Sequence, residues 1–295
     1  MSFLGGEEDL VCLFERRVGA LDEQVVLQTW HGSMFKRIGL DRPGFDPIQE
    51  RALKKERDKW DLLLSQNRHS SEIFRSAYAW EGPILEEGYP RNDALAGGDG
   101  RPIRELLGIP LDDTVVLYAP TWRDDQTKAE LLLDVAALAA ELGAGYTLLL
   151  RGHTRTHEIS EAVTAEHLLD VTTYPDITEL FLASDILITD YSSVIYEYSL
   201  LGRPMLFFSY DRDVYAATRG FHRDFEETAP GKACDTFDEL LTAIADSDFE
   251  TWRIDQFVKE NFDHVDTGST DRVIDWLILG EPPQLQPVTD EQEPS

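Results

Sequence analysis

Short apolar runs alternate with amphipathic segments along most of the chain. Runs rich in aliphatic and β-branched residues are typical of strands buried on both faces. They predict strands at residues 25–29, 61–66, 83–86, 114–119, 146–150, 168–171, 186–189 and 205–208. Apolar residues at helical spacing predict helices at residues 46–60, 70–78, 101–107, 131–142, 176–184 and 194–201, and three more helical stretches ending near residue 279. Strands that alternate with helices indicate parallel βαβ units, so we predict an α/β fold.

The sequence GGDG at residues 97–100 has the clearest linker composition in the chain. It predicts an N-terminal α/β domain at residues 1–100 and a C-terminal α/β domain at residues 101–280. The cleft between two such domains is the expected ligand site. Residues 281–295 are polar and rich in proline, which predicts a disordered tail.

Residues 185–209 predict a strand, a turn, a helix and a second strand, with Gly202 placed to end the helix in a left-handed conformation. Ser192 and Ser193 lie in the turn, at the sheet edge where ligands of open α/β folds bind. Free amides, the positive end of a helix and two hydroxyls suit a phosphate group. Serines are also common helix caps, and the stretch alone favours neither interpretation.

The formal charge of the 295-residue chain is −29, from 56 acidic and 27 basic residues. This charge argues against broad nucleic-acid binding and against docking to anionic lipid through a basic surface. An anionic substrate would need a local basic site in such an acidic protein. Arginines close to the sequence motifs are therefore informative.

Composition also indicates a compartment. The hydrophobic content of 42% supports real cores, and no apolar run of about eighteen residues predicts a membrane span. The first residues, MSFLGGEEDL, lack the basic and then apolar pattern of a secretory signal. Cys12 and Cys234 lie far apart without metal-ligand spacing, so we predict reduced cysteines and a cytoplasmic protein.

Two histidines, His31 and His153, each follow a predicted strand, one in each half. Histidine exchanges protons readily near neutral pH, so a cleft could bring both to one ligand. A lone histidine is more often a hydrogen-bonded loop residue, but the position of both at strand ends makes the two interpretations about equal.

A zinc site at residues 153–158 (HTRTHE) is a further hypothesis that the local sequence disfavours. The acid follows the second histidine, unlike the order in H-E-x-x-H. Arg151 and Arg155 would repel a cation, whereas guanidinium groups bind phosphate through paired hydrogen bonds. We therefore predict no metal site.

Glu197 follows Ser192 by five residues, about one turn into the predicted helix. Its carboxylate there could bind both hydroxyls of a ribose, or it could be a solvated helix residue. Tyr191, Tyr196 and Tyr198 are predicted to pack in the core rather than to stack on a base.

Six motifs occur in order at residues 28–33 (QTWHGS), 88–93 (GYPRND), 118–123 (YAPTWR), 151–153 (RGH), 188–193 (ITDYSS) and 219–221 (RGF). As a set they resemble the CDP-glycerol:poly(glycerophosphate) glycerophosphotransferases, the family of teichoic-acid primases and polymerases. The resemblance spans residues 28–225 and is far more specific than any one motif.

The resemblance implies a GT-B-like architecture, in which two Rossmann-like parallel-sheet domains face a cleft without a metal or cofactor. It implies CDP-glycerol as donor and transfer of glycerol phosphate to a hydroxyl of a lipid-linked or polyol-phosphate acceptor, releasing CMP. It also implies a cytoplasmic enzyme that acts at the inner face of the cell membrane. The net charge already argues against a nucleic-acid partner.

Matched motif by motif, His31 corresponds to the family's base and His153 to a second essential histidine near the pyrophosphate. The donor-binding residues that the resemblance and the anion argument suggest are Arg151, Arg155, Thr189, Asp190, Ser192, Ser193 and Glu197. Further candidates are Gly32, Ser33, Thr121, Arg123, Arg91 and Arg219.

The sequence departs from the family pattern at two places. Only about 27 residues precede the first motif, so we expect a shortened N-terminal domain. Residue 33 is Ser where many members have Thr, which keeps a hydroxyl. Two alternatives stay open: a related transferase that uses CDP-ribitol or a nucleotide sugar, and a non-catalytic nucleotide-binding subunit of a surface-polymer complex.

Overall fold

A small parallel sheet forms the N-terminal part of the computed structural model, which describes residues 25–121, 133–152 and 165–279. This three-stranded sheet has the order β1-β2-β3. Its strands are β1 (Leu27–Gln28), β2 (Leu62–Leu64) and β3 (Ile84–Leu85), connected through helices α1 (Pro47–Arg57) and α2 (Arg68–Ala77). Asp46 and Asn67 start the two helices, because their side chains accept hydrogen bonds from amides of the first turn.

The second sheet has six parallel strands in the order β6-β5-β4-β7-β8-β9. They are β4 (Thr114–Tyr118), β5 (Tyr146–Leu150), β6 (Leu168–Asp170), β7 (Ile186–Thr189), β8 (Met205–Phe208) and β9 (Lys232–Cys234). This is the order of a doubly wound dinucleotide-binding sheet. The direction of winding reverses between β4 and β7, so a crevice opens at the carboxyl ends of these two strands.

Helices connect the strands of the larger sheet and follow its last strand. The described helices after β3 are α3 (Arg101–Leu107), α4 (Val135–Leu142), α5 (Ile177–Ala183), α6 (Val194–Ser199), α7 (Arg212–Thr218), α8 (Phe225–Thr228), α9 (Phe237–Ala245), α10 (Trp252–Asn261) and α11 (Ser269–Ile274). Short 3₁₀ turns at Gly39–Asp41 and Pro90–Asn92 and a π turn at Asp275–Leu279 complete the described helical segments.

Both faces of the larger sheet are buried. Along β4, Val115 and Leu117 pack into one apolar cluster, whereas Val116 and Tyr118 pack into another on the opposite face. Neighbouring side chains of a strand point in opposite directions, so a strand covered on both faces needs consecutive apolar residues. This requirement explains why short, unbroken apolar runs located these strands in the sequence.

The segment after β1 crosses to the larger sheet. Phe35 packs in the core of that sheet, with ring centroids 5.3 Å from Phe221 and 6.0 Å from Phe225. Lys36 forms an antiparallel bridge with Phe221, and the His222 amide donates to the Phe35 carbonyl at 3.1 Å. The two sheets are therefore tied together close to the end of β1.

The last described residues return from the larger sheet to the small sheet. Asp93 accepts hydrogen bonds from the Ser269 amide at 3.1 Å and the Thr270 amide at 2.8 Å, at the start of α11. Val273 and Trp276 then pack against the core of the small sheet. Residue 100, the predicted division, lies between the strands of the two sheets. However, Phe35 packs in the core of the larger sheet, and Val273 packs in the core of the small sheet.

The α/β class with parallel sheets is confirmed. Predicted strands at 146–150, 186–189 and 205–208 and the helix at 101–107 have their predicted bounds. The sequence did not predict α7 or β9. Strand β9 was missed because Lys232–Cys234 is an edge strand without an apolar run. The predicted tail at residues 281–295 lies outside the described residues.

Within the three described ranges, every helix is too short or too polar to cross a bilayer.

A partly buried histidine lies where the two sheets contact each other. His222 contributes its amide to the bridge, and its Nε2 is buried without a hydrogen-bond partner among the described residues. Burial lowers the pKa of His222 from 6.5 to about 4, and the nearby charges are Asp41, His69 and Arg37. The folded protein therefore favours the neutral imidazole.

We expect His222→Gln to reduce the sensitivity of the protein to acid. Between pH 4 and 6.5 the unfolded chain binds a proton at His222 that the folded chain excludes, so stability falls as the pH drops through this window. Urea denaturation at about pH 7 and about pH 5 should show a larger loss of unfolding free energy in the parent than in the variant. Equal losses would show that burial of His222 does not contribute.

Candidate active site

The loop that follows β1 lies against the start of α6. A Cβ atom built on Gly32 would be 2.6 Å from the Ser193 Oγ and 3.2 Å from its Cβ. The main chain of Gly32 therefore lies against Ser193, and a side chain at residue 32 would force the Ser193 side chain to shift. The contact brings the candidate base His31 from the small sheet next to the candidate donor-binding serines of the larger sheet.

His31 stands on a constrained aromatic support. Trp30 has a left-handed backbone with φ of 56°, and its amide donates to the Gln28 side chain at 2.9 Å. Its buried indole makes edge contacts with Trp60, Phe74 and Tyr78. The exposed His31 ring stacks on this indole, with centroids 5.1 Å apart. The imidazole is thus exposed to solvent and rests on a rigid aromatic support.

Ser33, the next candidate, is buried. Its Oγ has no hydrogen-bond partner among the described residues. Most buried hydroxyls in proteins are hydrogen-bonded, so this one is unusual. The side chain nevertheless lies inside the packed loop, so it does not line an open surface.

Asp190 shapes the crevice between β4 and β7. Its buried carboxylate accepts hydrogen bonds from the Thr121 amide at 2.8 Å and the Tyr191 amide at 2.6 Å. The Thr189 hydroxyl donates to the Ala119 carbonyl at 2.6 Å. Thr189, Asp190 and Thr121 thus join the ends of two strands, which is a structural contribution to the site.

The hydroxyls of Ser192 and Ser193 are little used by the helix that they precede. Ser193 occupies the N-cap position without a side-chain capping bond, and Ser192 Oγ accepts only a long 3.4 Å bond from the Val194 amide. Both residues are half-buried. Neither hydroxyl therefore makes a strong capping bond to this helix. The helix is short, with six residues, so its dipole adds little.

Glu197 is buried and paired, so it is not a solvated helix residue. It is 9% exposed, and its Oε1 lies 2.9 Å from Arg91 Nη2. Arg91 Nη1 also donates to the Trp30 carbonyl at 3.3 Å. Arg91 therefore connects the His31 loop with α6. Tyr191, Tyr196 and Tyr198 are buried in the core, as predicted.

Two further arginine candidates, Arg151 and Arg219, are described. Arg151 directly follows β5 and donates through Nη1 to the carbonyls of Val171 and Tyr174. Burial lowers the pKa of the Arg151 guanidinium. Arg219 is buried at the end of α7.

Some predicted positions lie outside the described residues, namely His153, Arg155 and Arg123, together with His157 and Glu158 of the disfavoured zinc hypothesis. In the described part of the chain, no three His, Cys, Asp or Glu side chains are grouped so as to hold a metal ion.

Sequence reasoning missed the support beneath His31. A left-handed tryptophan has no propensity signal, because bulky residues rarely adopt this conformation. The aromatic residues that hold Trp30 are far from it in sequence, at positions 60, 74 and 78. The neighbouring pair Trp30-His31 was visible only as part of a motif.

These features define an α/β protein whose site combines the switch point of a doubly wound sheet with a histidine loop from a second parallel sheet. The chain belongs to the CDP-glycerol:poly(glycerophosphate) glycerophosphotransferase family, whose sequence model matches residues 13–279. The family indicated by the six sequence motifs is therefore confirmed.

Known proteins of similar sequence are named as teichoic-acid polymerases. A teichoic acid poly(glycerol phosphate) polymerase of Staphylococcus epidermidis is 43% identical over 231 residues, which cover 71% of this chain and 32% of that protein. A teichoic acid poly(ribitol-phosphate) polymerase of Bacillus spizizenii is 32% identical over 283 residues, covering 90% of this chain and 44% of that protein. The chain thus spans about a third to under half of their lengths.

A solved structure has the same fold. It is a histidine-to-asparagine variant of the wall teichoic acid polymerase TagF, soaked with CDPG for 15 minutes. The two chains share 39% identity with a TM-score of 0.76, covering 88% of this chain and 68% of that one.

We expect Gly32→Ala to destabilise the protein by about 1–3 kcal/mol, the usual cost of overpacking. The added Cβ would overlap Ser193 and push the loop away from α6. Chemical denaturation measures the effect. The double variant Gly32→Ala with Ser193→Gly is the matched control, because it removes the atoms that the new Cβ meets. If the double variant is no more stable than Gly32→Ala, this contact is not the cause.

Proposed function

We propose that this protein transfers glycerol phosphate from CDP-glycerol to a hydroxyl of a lipid-linked or polymeric acceptor, releasing CMP. The main support for the proposal is the contact of Gly32 with Ser193. It joins the His31 loop to two serines that make no strong capping bond, in a chain of this family. The names of the relatives and the CDPG soak of TagF support the same reaction.

The proposal includes a GT-B-like arrangement, with the donor held by the larger sheet and the acceptor approaching from the side of the small sheet. Two parallel sheets whose ends meet at one site support this arrangement. A lipid-linked acceptor places the enzyme in the cytoplasm, at the inner face of the membrane.

The donor diphosphate is assigned to Ser192 and Ser193 with arginine support from Arg151 or Arg155. The serine hydroxyls make few bonds to the described residues, so they can donate to phosphate oxygens. Arg151 already binds carbonyls through Nη1, so its contribution to the donor would come from the rest of the guanidinium.

In the reaction, an acceptor hydroxyl attacks the phosphorus that carries glycerol. The new P–O bond forms as the bond from this phosphorus to the oxygen of CMP breaks. A hydroxyl is a weak nucleophile, so a base must take its proton, and His31 is assigned this role. His153 is assigned to stabilise charge on the departing CMP. No metal or cofactor enters this scheme.

Release of CMP tests the proposal directly. Purified protein should release CMP from CDP-glycerol when a glycerophosphate-primed acceptor is added, in the presence of EDTA. A strict requirement for magnesium or manganese would overturn the metal-free scheme. Faster release from CDP-ribitol would identify the alternative donor, which the similarity to a poly(ribitol-phosphate) polymerase also supports. Absence of release with either donor would favour a non-catalytic subunit.

We expect His31→Ala to lower turnover by about 10²–10⁴-fold, because it removes the general base. Donor affinity should stay nearly unchanged, since the histidine acts on the acceptor. The matched control is His167→Asn, at the amino end of β6 and so at the opposite sheet edge. Asparagine suits the left-handed backbone of residue 167. Turnover of His31→Ala at the parent rate would make His31 a structural loop residue.

We expect replacement of Ser192 and Ser193 by Ala to weaken donor binding by about 1–3 kcal/mol, the scale of hydrogen bonds to a charged group. Calorimetry with CDP-glycerol measures the affinity. Ser199→Ala on the same helix is the control, because its buried hydroxyl donates to the Tyr196 carbonyl at 2.7 Å. Unchanged affinity in the double variant would rule out this placement of the diphosphate.

A further inference from the structure

We propose that Arg91 and Glu197 form a positioning pair that holds His31 in its working orientation relative to the serines at the start of α6. The inference rests on the function proposed above, in which His31 is the base. It assigns Glu197 a role different from binding the ribose of the donor.

Arg91 contacts both halves of the molecule through one guanidinium group. Its Nη1 donates to the Trp30 carbonyl at 3.3 Å, and its Nη2 donates to Glu197 Oε1 at 2.9 Å. Its central carbon lies 4.1 Å from the centroid of the Tyr89 ring. A planar guanidinium can make these contacts together. Its N–H donors point outward in one plane, and its flat face can stack on the Tyr89 ring.

The carbonyl that Arg91 binds belongs to the peptide unit that joins Trp30 to His31. A peptide unit is planar, so fixing this carbonyl also fixes the orientation of the His31 amide. The left-handed backbone of Trp30 is strained and persists only where surrounding contacts hold it. The Gln28 side chain binds the Trp30 amide, and Arg91 binds the carbonyl. The two bonds thus hold the strained residue from both sides.

Glu197 fixes the position of Arg91. The carboxylate lies on α6, one turn after Ser193, and its side chain is 12% exposed. Charge-assisted hydrogen bonds in partly buried sites are strong, and removal of one partner leaves the other charge uncompensated. The loop therefore meets α6 at two places, through Gly32 on Ser193 and through Arg91 on Glu197. Two such contacts define the orientation of the loop better than either one.

A double-mutant cycle tests the pair. The variants are Arg91→Lys, Glu197→Gln and their combination, with Glu197→Asp as a milder change if Glu197→Gln fails to fold. Lysine keeps the charge but cannot make both hydrogen bonds and the ring contact. Turnover with CDP-glycerol, its pH profile and calorimetric donor affinity are measured for each variant.

Arg104→Lys is the matched control. Arg104 also combines an ion pair with main-chain contacts, because it binds Asp185 at 2.7 Å and the Ala183 carbonyl at 2.8 Å. It lies on α3, away from the His31 loop. Its substitution should lower stability without changing turnover at temperatures where the protein stays folded.

We expect each single variant at Arg91 or Glu197 to lower turnover by about 10- to 100-fold, the effect of a small misplacement of a catalytic group. The double variant should lose little more than the single variants, because both changes break the same connection. Donor affinity should stay close to that of the parent. If Glu197→Gln weakens donor binding and Arg91→Lys does not, Glu197 is a donor ligand and the inference is wrong. Fully additive losses or unchanged turnover would also overturn it.

A second readout does not need enzymatic turnover. The His31 ring stacks on the Trp30 indole, so its NMR signals carry a ring-current shift. The signals are assigned by comparison with His31→Gln. In Arg91→Lys they should move toward the values of an unstacked histidine, and in Arg104→Lys they should not. If the parent protein releases no CMP, the proposed function fails while this shift still tests the positioning pair. An unchanged His31 signal in Arg91→Lys would overturn the inference.

Discussion

The close approach of Gly32 to Ser193 is the constraint on which the site depends. Each sheet alone presents an incomplete set of groups, a histidine on one and two serines on the other. The missing side chain at residue 32 lets the two loops meet at van der Waals distance. Segments that cross between the sheets maintain this contact, with Phe35 in the core of the larger sheet and α11 against the small one.

The polar groups at the switch point have two distinct uses. The side chains of Thr189 and Asp190 form hydrogen bonds with main-chain groups of neighbouring segments, so they stabilise the crevice. Within the described ranges, the hydroxyls of Ser192 and Ser193 make almost no such bonds. A buried carboxylate that accepts hydrogen bonds from amides can thus shape the crevice as a structural group, because the amides offset its charge.

Much of the larger sheet was predictable from the sequence, because strands covered on both faces require unbroken apolar runs such as residues 186–189 and 205–208. The edge strand Lys232–Cys234 lacked this pattern and was missed. At the site, the motifs identified His31, Ser192 and Ser193 as candidates. The pairing of Arg91 with Glu197 and the conformation of Trp30 depend on contacts between distant residues, so local sequence carried no sign of either.

The return of α11 to the small sheet has a consequence for how the chain is made. Val273, Trp276 and Leu277 complete an apolar core whose other members lie between residues 27 and 89. The chain is synthesised from the N-terminus, so this core cannot be completed until α11 has left the ribosome. That is nearly two hundred residues after β3, about the span from β3 to α11. The larger sheet has all its strands by residue 234, before α11 is made. Trp30, which supports His31, belongs to the small-sheet core, so this support would be completed only after those strands are in place.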